Sequence, residues 1–392
     1  MSLLPDPSAN FELDPDLAKI AAKFVRKGVV QTIVPLGNGN INSTFLVTAT
    51  AETAAKTDAE ADAKRFVLQR INTQVFRQPE RVIQNMRVLS DHLRDCPSQH
   101  LRRWETPQIL LTNQNQSYWI DEAGEYWRAI SFIEHAHVLE TVENAAHAQE
   151  IGYGLAMFHS LISTLPADKL TDTLEGFHIT PTYLAEYERV RARVGQTRSH
   201  PSKLSNEQTE QVLYCLTFVE DRKAWAHVLE RAKAAGHLKL RPIHGDPKVN
   251  NIMLADNGQA VSLIDLDTIK PGLVHYDIGD CLRSGCNPLG EETEDWQNVV
   301  FDTALAEAML KGYLSLAKDF LTEQDYDYLY DAIRLIAFEL GLRFLTDYLA
   351  GNVYFKVTHP THNLTRALVQ LKLTESIEQQ ADTLKKIIQS LR

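Results

Sequence analysis

A chain of 392 residues is long enough for two domains or two lobes of one fold. With 44% apolar and 23% charged residues it has the make-up of an ordinary globular protein, and no disorder is forced. The net charge of −11 argues against nucleic acid as the main partner, because phosphate backbones are held by clustered Lys and Arg.

In chain order, residues 11–27 alternate apolar and charged groups at helical spacing. Val29 to Pro35 and Thr44 to Thr50 are rich in β-branched residues and predict strands. The link between them, Leu36-Gly37-Asn38-Gly39-Asn40-Ile41-Asn42-Ser43, is made of turn formers. Residues 51–64, rich in Ala, Thr, Asp and Glu, read as a solvated insertion in a strand connection, with helix as the alternative. Arg65 to Ile71 predicts a third strand, and Val82, Ile83, Met86, Leu89 and Leu93 predict a helix over 80–93. Further strands are expected over 108–112, 117–121 and 126–133, which together give a mostly antiparallel sheet with one inserted helix.

From Val142 the period turns helical, with helices expected over 145–161 and 207–235. A short β interval follows over 244–267, then helices from 294 to the end, with breaks at Gly351-Asn352 and near Pro360. This order predicts an α+β fold of two lobes with a cleft between them, a small β-rich N-lobe and a large, mainly helical C-lobe.

The four cysteines, Cys96, Cys215, Cys281 and Cys286, form no CxxC pair and read as free buried thiols. That fits a reducing compartment, and a cytoplasmic location is expected. No secretory signal stands at the N-terminus, and no apolar run approaches the ~18 residues of a membrane span. His135-x-His137 and His359-x2-His362 lack nearby Cys or further carboxylate ligands and are not read as zinc sites.

The chemistry concentrates in His244-Gly245-Asp246-Pro247-Lys248-Val249-Asn250-Asn251. An Asp five residues before an Asn on a tight loop can aim both side chains at one point. Phosphoryl transfer to a hydroxyl needs a carboxylate to orient the hydroxyl and take its proton, and oxygen ligands for Mg. Asp246 suits the first role, Asn251 offers a carbonyl oxygen for the second, and Lys248 could neutralise the moving phosphoryl group. The strand Val261-Ser262-Leu263-Ile264 ends in Asp265, nineteen residues after Asp246, with a turn at Asp256-Asn257-Gly258 between. Such a hairpin makes Asp265 the expected principal Mg ligand, with Asp267 as a rival if the strand continues.

His244, Asp246, Asn251, Ile264-Asp265 and Tyr276-Asp277 together resemble the aminoglycoside phosphotransferase and choline kinase family, distant relatives of protein kinases. The resemblance implies a two-lobed protein-kinase-like fold, ATP as co-substrate, Mg2+, and a small-molecule acceptor. It implies Asp246 as catalytic base, Asn251 and Asp265 as Mg ligands, and Asp277 as a brace of the catalytic loop. An N-lobe over 1–134 would hold the nucleotide, and a C-lobe over 135–392 the catalytic loop and acceptor. Gly37 to Asn42, Leu68-Gln69-Arg70-Ile71-Asn72, Ile264 to Thr268, Pro271 to Val274, Tyr276 to Asp280 and Arg343 to Leu349 resemble the bacterial N-acetylhexosamine 1-kinase branch. That branch forms sugar 1-phosphates from GlcNAc or GalNAc. Other acceptors (choline, homoserine, an aminoglycoside) and a nucleotide-binding pseudokinase are the alternatives. A monomer or homodimer is expected, without nucleic acid or membrane as partner.

Further site residues follow from that frame. Gly37, Asn38, Gly39, Asn40 and Asn42, between two strands, suit a loop whose backbone approaches phosphates, although Asn42 stands where many kinases have a third Gly. Protein kinases carry a Lys on the third strand; here Gln69-Arg70 occupies the place, and Arg70 is preferred for its charge. Strand alternation lets only one of the two face the cleft. Phe132, Ile133 and Glu134 fall where a hinge would meet adenine. Arg343 and Asp347, at i,i+4 on one helix face, are acceptor candidates with Asp280, Arg283 and Tyr348.

Overall fold

The structure, a computed structural model, describes residues 14–37, 41–50, 64–95, 102–197 and 205–392. Asn38, Gly39, Asn40, Cys96 and the expected insertion up to residue 63 lie outside the described residues.

In chain order the elements are α1 (Pro15–Ala21), β1 (Val29–Pro35), β2 (Ser43–Thr50), β3 (Lys64–Ile71), α2 (Pro79–Asp95), β4 (Ile109–Leu110), β5 (Trp119–Ile120), β6 (Tyr126–Ser131) and β7 (Ala136–Val138). Then come α3 (Ala145–Ile162), α4 (Thr180–Thr197), α5 (Asn206–Arg222), α6 (Val228–Ala234), β8 (Arg241–Ile243), β9 (Ile252–Ala255), β10 (Ala260–Leu263) and β11 (Lys270–Gly272). The chain closes with α7 (Val274–Gly285), α8 (Thr303–Ala317), α9 (Glu323–Asp327), α10 (Leu329–Ala350), α11 (His362–Gln379) and α12 (Ala381–Leu391). This is the expected α+β order, an antiparallel sheet first and mainly helices after it.

The chain divides into two compact units. The first comprises Met1–Val138, Asp168–Leu174 and Met253–Lys270; the second comprises Leu139–Ala167, Glu175–Ile252 and Pro271–Arg392.

In the first unit the sheet runs β1-β2-β3-β6-β4, with β5 also on β6. Pairing is antiparallel, and β1 carries an irregularity between Val30 and Thr32. One face buries Phe66, Leu68 and Trp127 against Ala21 and Phe24. Ile71, on the other face, packs with Val82 and Ile83 of α2. Helix α1 begins where Asp14 accepts the N–H groups of Asp16 and Leu17, with Pro15 at its first position.

The two later segments join this unit through Asn85 of α2. Its amide donates to the carbonyls of Thr171 (2.7 Å) and Ile269 (2.8 Å), and its Oδ1 accepts Thr171 N–H (3.0 Å). Buried polar groups must be paired, and here one side chain serves three backbone groups. Strands β9 and β10 form the expected hairpin and β7 pairs with β9, while Glu105 N–H donates to Val261 O at 2.8 Å.

In the second unit α3 and α8 touch backbone to backbone. A Cβ on Gly152 would lie 1.9 Å from Met309 O, and one on Gly312 would lie 1.9 Å from Gln149 O. Helix α10 is buried along most of its length and ends at Gly351 (φ +95°), a left-handed cap that glycine adopts without strain. Cys215, Cys281 and Cys286 are buried free thiols, and burial pushes each thiol pKa up. No helix among the described residues is long and apolar enough to cross a membrane.

Three expectations are corrected here. The helix expected over 207–235 is two helices, α5 and α6, parted after Arg222. The strand expected to end in Asp265 stops at Leu263. Asp265 itself is left-handed (φ +61°, ψ +58°), and Leu266–Thr268 is a 3-10 turn, so Asp267 does not continue a strand face.

Candidate active site

In the second unit β8 feeds straight into His244-Gly245-Asp246, and a 3-10 turn, Val249–Asn251, closes the loop. Asn251 donates its amide to Asp246 O at 2.7 Å and reaches Asp246 Oδ2 at 3.4 Å. Lys248 Nζ stands 3.3 Å from Asp246 Oδ2. The loop's predicted chemistry is thus gathered in one turn, with the Asp246 carboxylate partly exposed and Asn251 buried.

Asp277, on the first turn of α7, holds this loop from behind. Its Oδ2 accepts His244 N–H (2.7 Å) and its Oδ1 accepts Gly245 N–H (2.8 Å). His159 Nε2 lies 2.8 Å from the same Oδ2, and His159 Nδ1 meets Tyr313 OH at 2.9 Å. Burial would raise the Asp277 pKa, but the hydrogen bond and charge of His159, with the His244 contacts, outweigh it and hold the carboxyl below its ordinary value.

Of the acceptor candidates, Asp280, Arg283 and Arg343 all lie within the electrostatic reach of Asp246. Asp280 Oδ1 accepts from Arg283 Nε (2.9 Å) and Nη2 (2.8 Å), and Arg283 Nη1 also meets Glu291 Oε2 at 2.8 Å. Asp280 Oδ2 is buried without a hydrogen-bond partner among the described residues. Burial pushes the Asp280 pKa up, Arg283 pulls it down and Asp246 pushes it up again, leaving it raised. Arg343 lies over the rings of Tyr183 (4.9 Å), Phe177 (5.1 Å) and Phe355 (5.4 Å).

Asp347 and Tyr348, the other two acceptor candidates, have different partners. Asp347 Oδ1 accepts Val353 N–H and Tyr354 N–H, both at 2.8 Å. Its Oδ2 accepts Phe355 N–H and the Asn363 amide, both at 2.9 Å. The carboxylate therefore folds the chain back after α10, while Arg343, at i,i+4 on the same helix, lies over the aromatic rings. Tyr348, one residue further round the helix, has its phenol raised by burial and by Cys215 of α5.

The first unit carries the remaining candidates. Gly37 is exposed and left-handed (φ +69°) in the β1–β2 link, which Leu36 N–H to Thr44 O closes at 2.9 Å. Asn42 donates to Asp267 Oδ2 (2.6 Å) and its Oδ1 accepts Asn72 N–H (3.0 Å). The residue that departs from the Gly pattern thus ties that link to the turn after β10. Asp265 is exposed, whereas Asp267 is 3% exposed and ion-paired with Arg128, itself 1% exposed.

Arg128 is the cation that sequence reasoning missed. It lies on the α2 face of the sheet, donates from Nε (3.0 Å) and Nη2 (2.8 Å) to Gln69 Oε1, and touches Met86 Sδ at 3.1 Å. Gln69, not Arg70, therefore shares the α2 face. Arg70 is exposed on the opposite face, 6.0 Å from the Trp127 ring, and donates to Ser43 Oγ at 3.2 Å. Only the register of β3 against β6 could have revealed the Gln69–Arg128 pair. Phe132 follows β6 with Arg65 4.7 Å over its ring, and Ile133 is buried. Glu134 takes Arg65 on its carboxylate and Arg103 on its carbonyl (2.6 Å).

The model of the phosphotransferase enzyme family matches residues 32–324 of the chain. The fold is similar to an aminoglycoside phosphotransferase from Alicyclobacillus acidocaldarius, with TM-score 0.58 and 16% identity over 98% of this chain and 99% of that one. A microcompartment-associated aminopropanol kinase gives TM-score 0.56 and 16% identity over 90% and 93% of the two chains. A choline kinase from Cryptosporidium parvum gives TM-score 0.51 and 13% identity over 92% and 91%. With its kinase-like α+β fold and its braced Asp246 loop, the chain belongs to the aminoglycoside phosphotransferase family, enzymes that transfer phosphate from a nucleotide to a hydroxyl of a small molecule.

Proposed function

We propose that this phosphotransferase transfers the γ-phosphoryl group of ATP to the anomeric hydroxyl of an N-acetylhexosamine, GlcNAc or GalNAc, giving the sugar 1-phosphate. The observation that carries the acceptor class is the buried Asp280 carboxylate with one unpartnered oxygen, which, like the Arg343 guanidinium, feels the charge of Asp246. Hydroxyl groups donate to a carboxylate and accept from a guanidinium, so such a pair suits a sugar. A quaternary ammonium acceptor would need aromatic faces, and Arg343 already covers those of Phe177, Tyr183 and Phe355. The segments that resemble N-acetylhexosamine 1-kinases support the same acceptor.

In this reading Asp246 orients the hydroxyl and takes its proton as the sugar oxygen bonds to phosphorus and the bond to ADP breaks. Lys248 offsets charge on the moving phosphoryl oxygens. Gly37, Asn38, Gly39, Asn40 and Asn42, with the hinge segment Phe132, Ile133 and Glu134, are the proposed nucleotide contacts. Asn251 and Asp265 are the proposed Mg2+ ligands. Their chemistry fits: Asn251 spends its N–H2 on Asp246 O, which leaves its carbonyl oxygen for a cation, and Asp265 offers an exposed carboxylate. Mg2+ held there would offset negative charge on the phosphate groups. We place the enzyme in the cytoplasm, where ATP and reduced thiols are found.

A phosphorylation assay over amino sugars, choline, homoserine and aminoglycosides tests the acceptor, with NMR of the product to locate the phosphate. Turnover of GlcNAc or GalNAc to the 1-phosphate is the expected outcome. No turnover with any hexosamine would end that reading. The second reading, an amino alcohol as acceptor, draws on the buried Asp280 oxygen that lacks a partner and could take an ammonium.

A further inference from the structure

The peptide group that joins Gly245 to Asp246 is gripped at both ends by imidazoles. His178 Nε2 lies 2.7 Å from Gly245 O, and Asp246 N–H donates to His244 Nδ1 at 3.2 Å. Gly245 is left-handed (φ +91°), so this peptide has no helical or strand partners to fix it. His178 is itself left-handed (φ +64°), buried, and packed with the rings of Phe177 (centroids 4.0 Å) and Tyr276 (5.6 Å).

Both nitrogens of His178 face oxygen. A carbonyl can only accept, so Nε2 carries a hydrogen. Nδ1 lies 2.9 Å from Glu339 Oε1, and the other oxygen of Glu339 accepts from Thr180 Oγ1 at 2.6 Å. One proton therefore lies between Nδ1 and Glu339, and the neighbours decide which owns it. Asp280, on α7, favours a cation at His178, and Glu339 lies among the charges that face Arg343, one turn along α10. The phenol of Tyr183 on α4 is pushed up by burial first, with Arg343 pulling against it and Glu339 adding to it. That of Tyr276 on α7, which donates to Glu230, is pushed up by burial, then by Glu230, with Glu339 adding last. Burial alone would lower the His178 pKa, but the charge and hydrogen bond of Glu339 outweigh it, and the group is raised.

We infer that His178 is an imidazolium, anchored by Glu339, that holds the Gly245 carbonyl and so sets the direction of the Asp246 carboxylate. It is a positioning residue, acting through the peptide and not touching the substrate. A neutral ring would turn an Nδ1 lone pair toward the Glu339 carboxylate and loosen the clamp. The sign follows: the clamp is complete below the ordinary histidine value and is lost as pH rises through the raised value, so kcat falls on the alkaline side. The inference rests on Asp246 being the base.

The test combines three measurements on the full chain, with ATP and whichever panel acceptor is turned over. Nitrogen-15 NMR of the imidazoles in the native protein at pH 7 should show one buried ring protonated at both nitrogens and absent in His178→Gln. His178→Gln should lose about 10²-fold in kcat, the cost of a small misplacement, while KM for ATP stays within about twofold. Glu339→Gln can donate to a neutral Nδ1, so its pH profile should lack the alkaline fall, whatever its absolute rate. A singly protonated His178 at pH 7, or a folded His178→Gln with native kcat, would overturn the inference. Should His178→Gln not fold, an alkaline fall unchanged in Glu339→Gln overturns it on its own. Asp246→Asn run in parallel separates the causes, since full turnover in that variant breaks the base assignment and not the clamp alone.

Discussion

The carboxylate of Asp277 accepts the backbone N–H of His244 at 2.7 Å from 33 residues further along the chain. With Gly245 N–H on its second oxygen and His159 beside it, Asp277 fixes the strand-to-loop corner from which Asp246 projects. Replacing it by Ala would strand two buried N–H groups and a histidine, and unfolding free energy should drop by about 3 kcal/mol. The folded pKa lies below the ordinary aspartate value. Its contribution is thus complete above the unfolded value near ~4 and is lost as pH falls through the folded value. Denaturant titrations from neutral to acid pH should show a shallower acid loss in Asp277→Asn than in the parent.

Asp246→Asn keeps size and the Asn251 contact to its backbone but cannot take a proton. Turnover should drop by about 10³-fold, within the range of general base catalysis, with ATP affinity by calorimetry nearly unchanged. Native turnover in this variant would remove Asp246 from the mechanism.

Asp267 and Arg128 are a buried ion pair with further hydrogen bonds to Asn42 and Gln69. Removing one partner leaves a charge without its counter-ion, so Asp267→Ala and Arg128→Met should each cost about 3 kcal/mol or more. The double variant should be less damaged than the sum, which a thermodynamic cycle from chemical denaturation measures. Additive losses would show that the two side chains do not depend on each other.

Arg343 and Asp347 lie on one face of α10 and should fail differently. Arg343→Ala should raise KM for the acceptor about tenfold or more and hardly change KM for ATP, if its guanidinium meets the acceptor. Asp347→Ala should lower the melting temperature, because the N–H groups of Val353, Tyr354 and Phe355 lose their acceptor. A shift in acceptor KM for Asp347→Ala at unchanged stability would contradict the loop-folding role.

Gly152→Ala puts a methyl group 1.9 Å from Met309 O, and α3 and α8 must part to admit it. A loss of about 3 kcal/mol is expected, at the upper end of ordinary overpacking. Gly37→Ala meets nothing within 4 Å among the described residues, and its left-handed backbone is strained at about 1 kcal/mol. Equal losses in the two variants would refute the close helix approach.

Local pattern carried much of this structure. Val29 to Pro35 matches β1, and the stripe over 80–93 lies within α2 (Pro79–Asp95). The Asp246 loop was legible because its residues are adjacent in sequence. Helix α7 escaped notice because it is short, 12 residues directly after the β interval, and its polar positions Asp277, Asp280 and Arg283 are themselves buried. The backbone of Asp265 was not legible, because a left-handed Asp after a strand has no pattern of its own. Arg128, His159, His178 and Glu339 were invisible for a different reason: each acquires its role from a partner between 59 and 161 residues away.

Asn85 gives the first unit a property that no strand or helix in it has alone. Its three hydrogen bonds draw in chain from 168–174 and 253–270, so the unit is not one stretch of gene. A fragment cut after Val138 would keep the sheet and α2 but leave the Asn85 carboxamide facing nothing, along with every edge those two stretches cover. Dissecting this enzyme into halves by a single cut would therefore yield an insoluble first half. A circular permutant opened in an exposed turn, which keeps all three pieces in one polypeptide, is the form in which the unit can be moved.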